Sequence, residues 1–505
     1  MTTRLPLDQL LVPVRRIGAR VTASRLAGYA GGLLLLPLTP SAADFEALPH
    51  GELLRELYGR KVRKAGDCFH LRVGPRAQTL LVVACLSAEA STFERLLAAG
   101  KLARTVLDGD PQSLLLWQQG CEATAADAGM HAAVAALQAA AFRFASFKSR
   151  PKPRPRLLRI DIAAAKLPDL EATLAGAAGN NLARWLTALP PNVLDARGYR
   201  RHLQELARRL NLGFKFYGET ELKRLGAGAF LAVSSGNGSR DAGIAHLSYR
   251  PRGAAMPPLA LVGKGICFDT GGTNLKPHKS MLDMHTDMEG SAVALGSLYA
   301  MHALRSKTPV DCWLAITENR IGPLAYKPQD VVRAHNGTTI QVIHTDAEGR
   351  MVLADTLSLA AARKPRAIID YATLTGACVY ALTERYSGAF TNRPAARDVI
   401  EAAGSSSGER VWCFPMDDDF DTDLESSVAD VLQCATEGKG DHILAARFLG
   451  RFVPKEIAWL HLDLAAGMRH GGLAHITTEI TGFGVRYTLE LLRRGWPPAP
   501  MPAKR

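Results

Sequence analysis

The eight cysteines, at positions 68, 85, 121, 267, 312, 378, 413 and 434, form no Cys-x-x-Cys pair and no Cys/His finger spacing. This pattern argues against a disulfide framework and a structural zinc finger, and it suits a reducing, cytosolic compartment. No stretch is apolar for long enough to span a bilayer. The nearest, Leu26–Leu38 (LAGYAGGLLLLPL), follows five arginines and precedes Ser-Ala-Ala, as the apolar core of a signal peptide would. Gly31-Gly32 and Pro37 point instead to a buried first strand. His-Glu-x-x-His is absent, which removes the zincin arrangement, and without Gly-x-Ser-x-Gly a serine hydrolase has no anchor. Val262-Gly-Lys264-Gly departs from the phosphate-loop pattern because glycine follows the lysine, and Gly226-Ala-Gly-Ala lacks the third glycine of a dinucleotide fingerprint. No internal repeat or low-complexity tract stands out.

What is present is an ordinary globular composition, 47% hydrophobic and 22% charged, in a chain of 505 residues that is long for one domain. We expect an N-terminal α/β domain over residues 1–165, a linker helix over 166–190 and a second domain over 191–505. The net charge is +13 and uneven: residues 1–165 hold 22 Lys/Arg against 13 Asp/Glu. Such a bias serves solubility and steering, or attracts nucleic acid. In the first third, Thr79–Cys85 reads as a buried strand, Ala123–Phe142 as a helix and Phe142–Lys148 as strand-like alternation. The basic, proline-punctuated segment Lys148–Arg159 suits a domain edge, and Pro168–Leu189 suits a connecting helix ended by Pro190-Pro191. Beyond it, Pro258–Val262, Cys312–Thr317, Thr339–Ile343 and Ala367–Ala372 read as strands. Glu289–Arg305, Gly349–Arg363 and Leu374–Thr383 read as helices. This alternation predicts a mostly parallel sheet flanked by helices, with ligands gathering outside the carboxyl ends of its strands.

Chemistry concentrates in two places. The run His344-Thr-Asp346-Ala-Glu348-Gly-Arg350 puts two carboxylates and an arginine in seven residues where a strand gives way to a helix. The run Val262–Pro277 carries Lys264, Asp269 and Lys276 among glycines, and Asp287 follows. Clustered carboxylates repel one another unless cations neutralise them, and hard divalent ions prefer oxygen ligands, so the pattern reads as a two-metal hydrolase site. In extended backbone Asp346 and Glu348 share a face, and the following helix dipole favours their charge. The same dipole disfavours Arg350, which must therefore face an anion: a carboxylate, a bound oxyanion or a substrate group. Lys264 as a metal ligand would have to lose its proton. Lys276 could stay charged and polarise a carbonyl.

These segments resemble the leucyl aminopeptidase family, cytosolic two-metal peptidases also called M17. The family's signature Asn-Thr-Asp-Ala-Glu-Gly-Arg-Leu is similar to His344–Met351, and Val262–Pro277 and Met281–Ala292 resemble its two other metal-bearing segments. Ala372–Ala377, His461–Ala465, Thr481–Arg486 and Leu189–Asn192 also have counterparts. The resemblance covers the C-terminal two-thirds; the first 165 residues match only in placement. It implies that Lys264, Asp269, Asp287 and Glu348 hold a tighter metal. Asp269, Asp346 and Glu348 would hold a more exchangeable one. Lys276 would stabilise the oxyanion, and Arg350 would hold a bicarbonate acting as general base. Met284, Thr373, Leu374 and Gly376 would line the substrate site. It further implies an aminopeptidase acting on peptides, two divalent ions per subunit with zinc or manganese favoured, a homohexamer, a cytoplasmic location and no membrane association. His344 stands where the family has asparagine, His285 where it has a basic residue and Met351 where it has leucine; the two histidines would act on pH dependence or metal preference. Competing expectations are nucleic-acid binding by the basic N-terminal third, for which no recognition motif is present, and a catalytically silent scaffold, which the complete ligand set opposes.

Overall fold

The computed structural model describes residues 3–497 apart from 63, 65, 151–155 and 255. The proline-rich part of Lys148–Arg159 thus lies largely outside the described residues. Two large sheets carry the fold. The first uses β1 (Val14–Ile17), β2 (Gly31–Pro37), β3 (Cys68–Val73), β4 (Thr79–Leu86), β5 (Ser113–Gln118) and β6 (Arg159–Ala163) in the order β1-β6-β5-β2-β4-β3. All neighbours are parallel except β3 and β4. Leu33–Leu36 are all buried, as befits a parallel strand covered on both faces. The apolar run is the second strand rather than the first, because Val-Arg-Arg-Ile pairs ahead of it as a half-exposed edge, and Leu26 belongs to a short helix, Ala23–Ala27.

Phe142–Lys148 forms no strand. Phe142 and Phe144 pack edge to face, 5.6 Å between ring centroids, and Arg184 covers Phe144. Side-chain packing onto the helix Glu171–Thr187, not a sheet ladder, accounts for the alternation. That helix follows β6 and packs against the helix Glu289–Ala303 of the second unit.

The second sheet takes β7 (Gly213–Gly218), β8 (Gly243–Tyr249), β9 (Leu259–Asp269), β10 (Val310–Asn319), β13 (Ala367–Ala372), β14 (Ser387–Thr391), β15 (Val411–Cys413) and β17 (Ala458–Asp463) in the order β15-β14-β17-β13-β9-β10-β8-β7. The centre, β17-β13-β9-β10, is parallel, while β8, β7 and the β14 pairing with β17 are antiparallel. Separate apolar clusters cover its two faces. A small third sheet joins β11 (Val331–Arg333), β12 (Thr339–Gln341) and β16 (Val431–Leu432).

Two expectations change here. β9 does not stop at Val262 but runs on to Asp269, so Lys264 lies inside a strand instead of on a glycine-rich loop. A Cβ on Gly263 would stand 2.4 Å from the Ser291 Cα. The glycine there admits the helix Glu289–Ala303 against the strand; it is a close approach, not a turn. Thr339–Ile343 reads correctly as extended at its start, but β12 belongs to the small sheet. Residues 342–347 therefore reach the helix Glu348–Ala361 as irregular chain.

Candidate active site

β13 and β17 end side by side, with Ala372 opposite Asp463, while β9 runs on past them to Asp269; Asp269, Asp463 and the segments that follow these strands line one wall of a cleft of about 740 Å³. Asp269 closes β9. Its Oδ1 accepts from the Gly271 N–H and from Asn319 Nδ2, both at 2.8 Å, which fixes the carboxylate and leaves Oδ2 to Lys276 Nζ at 2.9 Å. Lys276 Nζ also meets Asp346 Oδ1 at 2.5 Å. Lys264 Nζ reaches Asp287 Oδ1 at 2.7 Å, Glu348 Oε1 at 2.9 Å and the Thr373 carbonyl at 2.7 Å. Thr373 Oγ1 donates to the same Asp287 oxygen at 2.8 Å. Asp287 precedes the helix Glu289–Ala303, and Glu348 is the first residue of its own helix, so helix N-termini support both charges.

Asp269, Asp346 and Glu348 each present one oxygen within 4.8 Å of the others. Asp287 stands outside that trio and joins it through Lys264. Burial lifts Glu348 up to about 7, with Asp269 adding to the rise and Lys264 and Lys276 opposing it. Burial and the Asp269 charge lift Asp346 to about 6. Burial lifts Asp287 to about 8 against the pull of Lys264. Both lysines move above the usual range in spite of burial, because the carboxylates around them outweigh it. The cluster therefore demands more positive charge than two ammoniums supply. Asp287 Oδ2 and Glu348 Oε2 are buried without a hydrogen-bond partner. Oxygen-rich, with spare buried lone pairs, the site fits hard divalent cations.

Met284, Thr373, Leu374 and Gly376 all lie on the cleft wall with Lys264, Asp269, Lys276, Asp287, Asp346 and Glu348. Arg350 does not. It is fully buried, and its Nη2 is clasped by both Asp441 oxygens at 2.8 Å, while Nη1 donates to the Gln433 carbonyl at 3.3 Å. The anion facing Arg350 is thus a carboxylate of this chain. His344 receives the Asp346 N–H at its Nδ1, and burial together with Lys276 pushes its pKa down; burial does the same for His285.

Residue-level reading missed Asp463, Gln433 and Asp441. Asp463 closes β17 on the cleft wall and accepts from Thr375 Oγ1 at 2.6 Å and the Leu374 N–H at 3.2 Å, pinning the Thr373–Gly376 segment. An acid at the carboxyl end of a parallel strand was a usable signal for it. Gln433 and Asp441 carry none, since each meets its partners across more than 80 residues.

Residues 181–489 match the model of the cytosol aminopeptidase family's catalytic domain. A probable cytosol aminopeptidase of Synechococcus sp. (strain CC9605) is 36% identical over 420 residues, which are 82% of this chain and 85% of the relative. The chain belongs to the cytosol aminopeptidase family. A probable cytosol aminopeptidase of Syntrophotalea carbinolica is 34% identical over 477 residues, 90% of this chain and 94% of the other. Among solved structures, the bottromycin maturation enzyme BotP, in complex with Mn, superposes with a TM-score of 0.80 at 28% identity, covering 92% of this chain and 99% of that one. The two-sheet α/β architecture is thus the family's, and the protein is a leucyl aminopeptidase-type hydrolase acting on peptides. No helix among the described residues is long and apolar enough to cross a membrane.

Proposed function

We propose that the protein is a metal-dependent aminopeptidase working with two divalent ions, zinc or manganese, in the cleft below β9, β13 and β17. The observation that carries this reading is the carboxylate trio Asp269, Asp346 and Glu348, bridged to Asp287 by a fully buried lysine. The manganese in BotP supports the choice of metal. Lys264, Asp269, Asp287 and Glu348 would hold one ion, and Asp269, Asp346 and Glu348 the other. Two such ions supply Lewis-acid activation of water and of the scissile carbonyl. Lys276, held between Asp269 and Asp346 at the cleft wall, would donate to the oxygen that becomes negative during hydrolysis. Met284 and Thr373 would line the pocket for the first side chain, the Leu374 carbonyl region would align the peptide backbone, and Gly376 would border the substrate beside them; all four lie on the cleft wall. Arg350 takes part through its anion. The bicarbonate that the resemblance implies would share the guanidinium with Asp441, whose carboxylate holds Nη2 while Nε stays without a partner. Residues 1–165 form a domain apart from the chemistry, and assembly as a homohexamer in the cytoplasm follows the family resemblance.

The test is hydrolysis of a panel of aminoacyl chromogenic amides by stripped protein, then with manganese or zinc, beside Asp346→Ala. Metal-dependent release that the variant lacks is the expected result. No release from folded protein under either metal would overturn the reading.

A further inference from the structure

We propose that Gln433 is the positioning residue of the carboxylate pair Asp346 and Glu348, setting how tightly the site holds metal. The inference rests on the metallopeptidase reading above. Asp346 sits in a segment that no sheet supports: β12 ends at Gln341 and the helix begins at Glu348. Backbone groups in such a segment find no partners in a ladder, and one side chain supplies partners for three of them. Gln433 Oε1 accepts from the Ile343 and His344 N–H groups, each at 3.0 Å, and Nε2 donates to the Ala347 carbonyl at 3.0 Å. Its main chain anchors it to the same neighbourhood, the N–H donating to the Gln341 carbonyl at 2.9 Å and the carbonyl accepting from Arg350 Nη1.

The other half of the turn is held differently. Thr345 is gripped by Asn274 at 2.9 Å, and its carbonyl accepts from Tyr326 at 2.8 Å and Asn319 at 3.1 Å, all on the Lys276 side. Asp346 therefore sits between a clamp on Thr345 and a clamp on Ala347, and Gln433 provides the second. Gln433 is fully buried and is no part of the cleft wall, so it reaches the chemistry only through the turn. Two bonds accepted at Oε1 and one donated from Nε2, on opposite atoms of one planar group, suit an amide. A glutamate would set an oxygen against the Ala347 carbonyl, and an asparagine is one methylene too short to keep both ends.

The experiment titrates manganese into stripped full-length protein by calorimetry, for wild type, Gln433→Ala and the isosteric Gln433→Glu, with thermal melts showing that each is folded. KM and kcat are read at saturating manganese. Weaker manganese binding by about 10–100-fold in both variants is expected, the range seen when groups behind metal ligands are lost, with KM changed by less than about threefold. Wild-type affinity in the folded variants overturns the inference alone, as does a raised KM with unchanged affinity. Wild-type protein that takes up no manganese overturns the metallopeptidase reading and this inference with it.

Discussion

Gly349→Ala should disable the site without touching a charged residue. Gly349 is the second residue of the helix Glu348–Ala361, and a Cβ there would stand 2.6 Å from Lys264 Cε and 2.8 Å from Cδ and Nζ. Carbon atoms rest at about 3.5–4.0 Å, so the lysine must retreat by roughly 1 Å. It has little room to do so: it is buried, and Asp287, Glu348 and the Thr373 carbonyl hold its Nζ within 2.9 Å. Alanine is the better helix former by about 1 kcal/mol, which offsets part of the strain and keeps the protein folded. A displacement near 1 Å among reacting groups costs on the order of 100-fold in rate. We expect kcat/KM for an aminoacyl amide to fall about 100-fold, with weaker manganese uptake and a urea midpoint close to wild type. Gly218→Ala, where nothing lies within 4 Å of the new methyl, is the matched control. A Gly349→Ala enzyme with wild-type kcat/KM and metal affinity would refute the placement of Lys264 at the centre of the site.

Asp441→Ala leaves the buried Arg350 guanidinium without its carboxylate, so stability should fall on the order of 3 kcal/mol in urea unfolding. Added bicarbonate should then raise the melting temperature of the variant more than that of wild type; an equal response in both would show that Asp441 does not occupy the anion position. Glu289 is fully buried, and burial lifts it to about 8, the Gly482 N–H offsetting only part. The folded state then keeps a proton that the unfolded chain has lost above its ordinary 4.5, so this group lowers stability as pH rises from about 4.5 to 8. Glu289→Gln should melt above wild type at pH 8 and level with it near pH 4.5; parallel melting curves across that window would contradict the assignment.

Much of the architecture was legible because its signals are local. The leucine run of β2 and the βα alternation around β9, β10 and β13 are written in consecutive residues. The metal-type residues announced themselves as acids among glycines, and the arrangement places Lys264, Asp269, Lys276, Asp287, Asp346 and Glu348 around one cleft. Errors arose where a residue type has two physical uses. Gly263 looked like the end of a strand and is the gap that admits a helix. The alternation of Phe142–Lys148 serves packing instead of pairing. Arg350 required an anion on dipole grounds, but its identity, Asp441, lies 91 residues downstream, where no local rule reaches. Gln433 is fixed by a two-residue strand too short to read from sequence.

The two lysines have a consequence for how the site fills. With Asp269, Asp287, Asp346 and Glu348 ionised, Lys264 and Lys276 leave the cluster two negative charges in excess. On the two-ion reading, the ion that Lys264 would hold binds only as Lys264 gives up its proton, which the surrounding carboxylates resist. Loading of that ion would therefore be tied to proton release, and occupancy would become a joint function of pH and metal concentration.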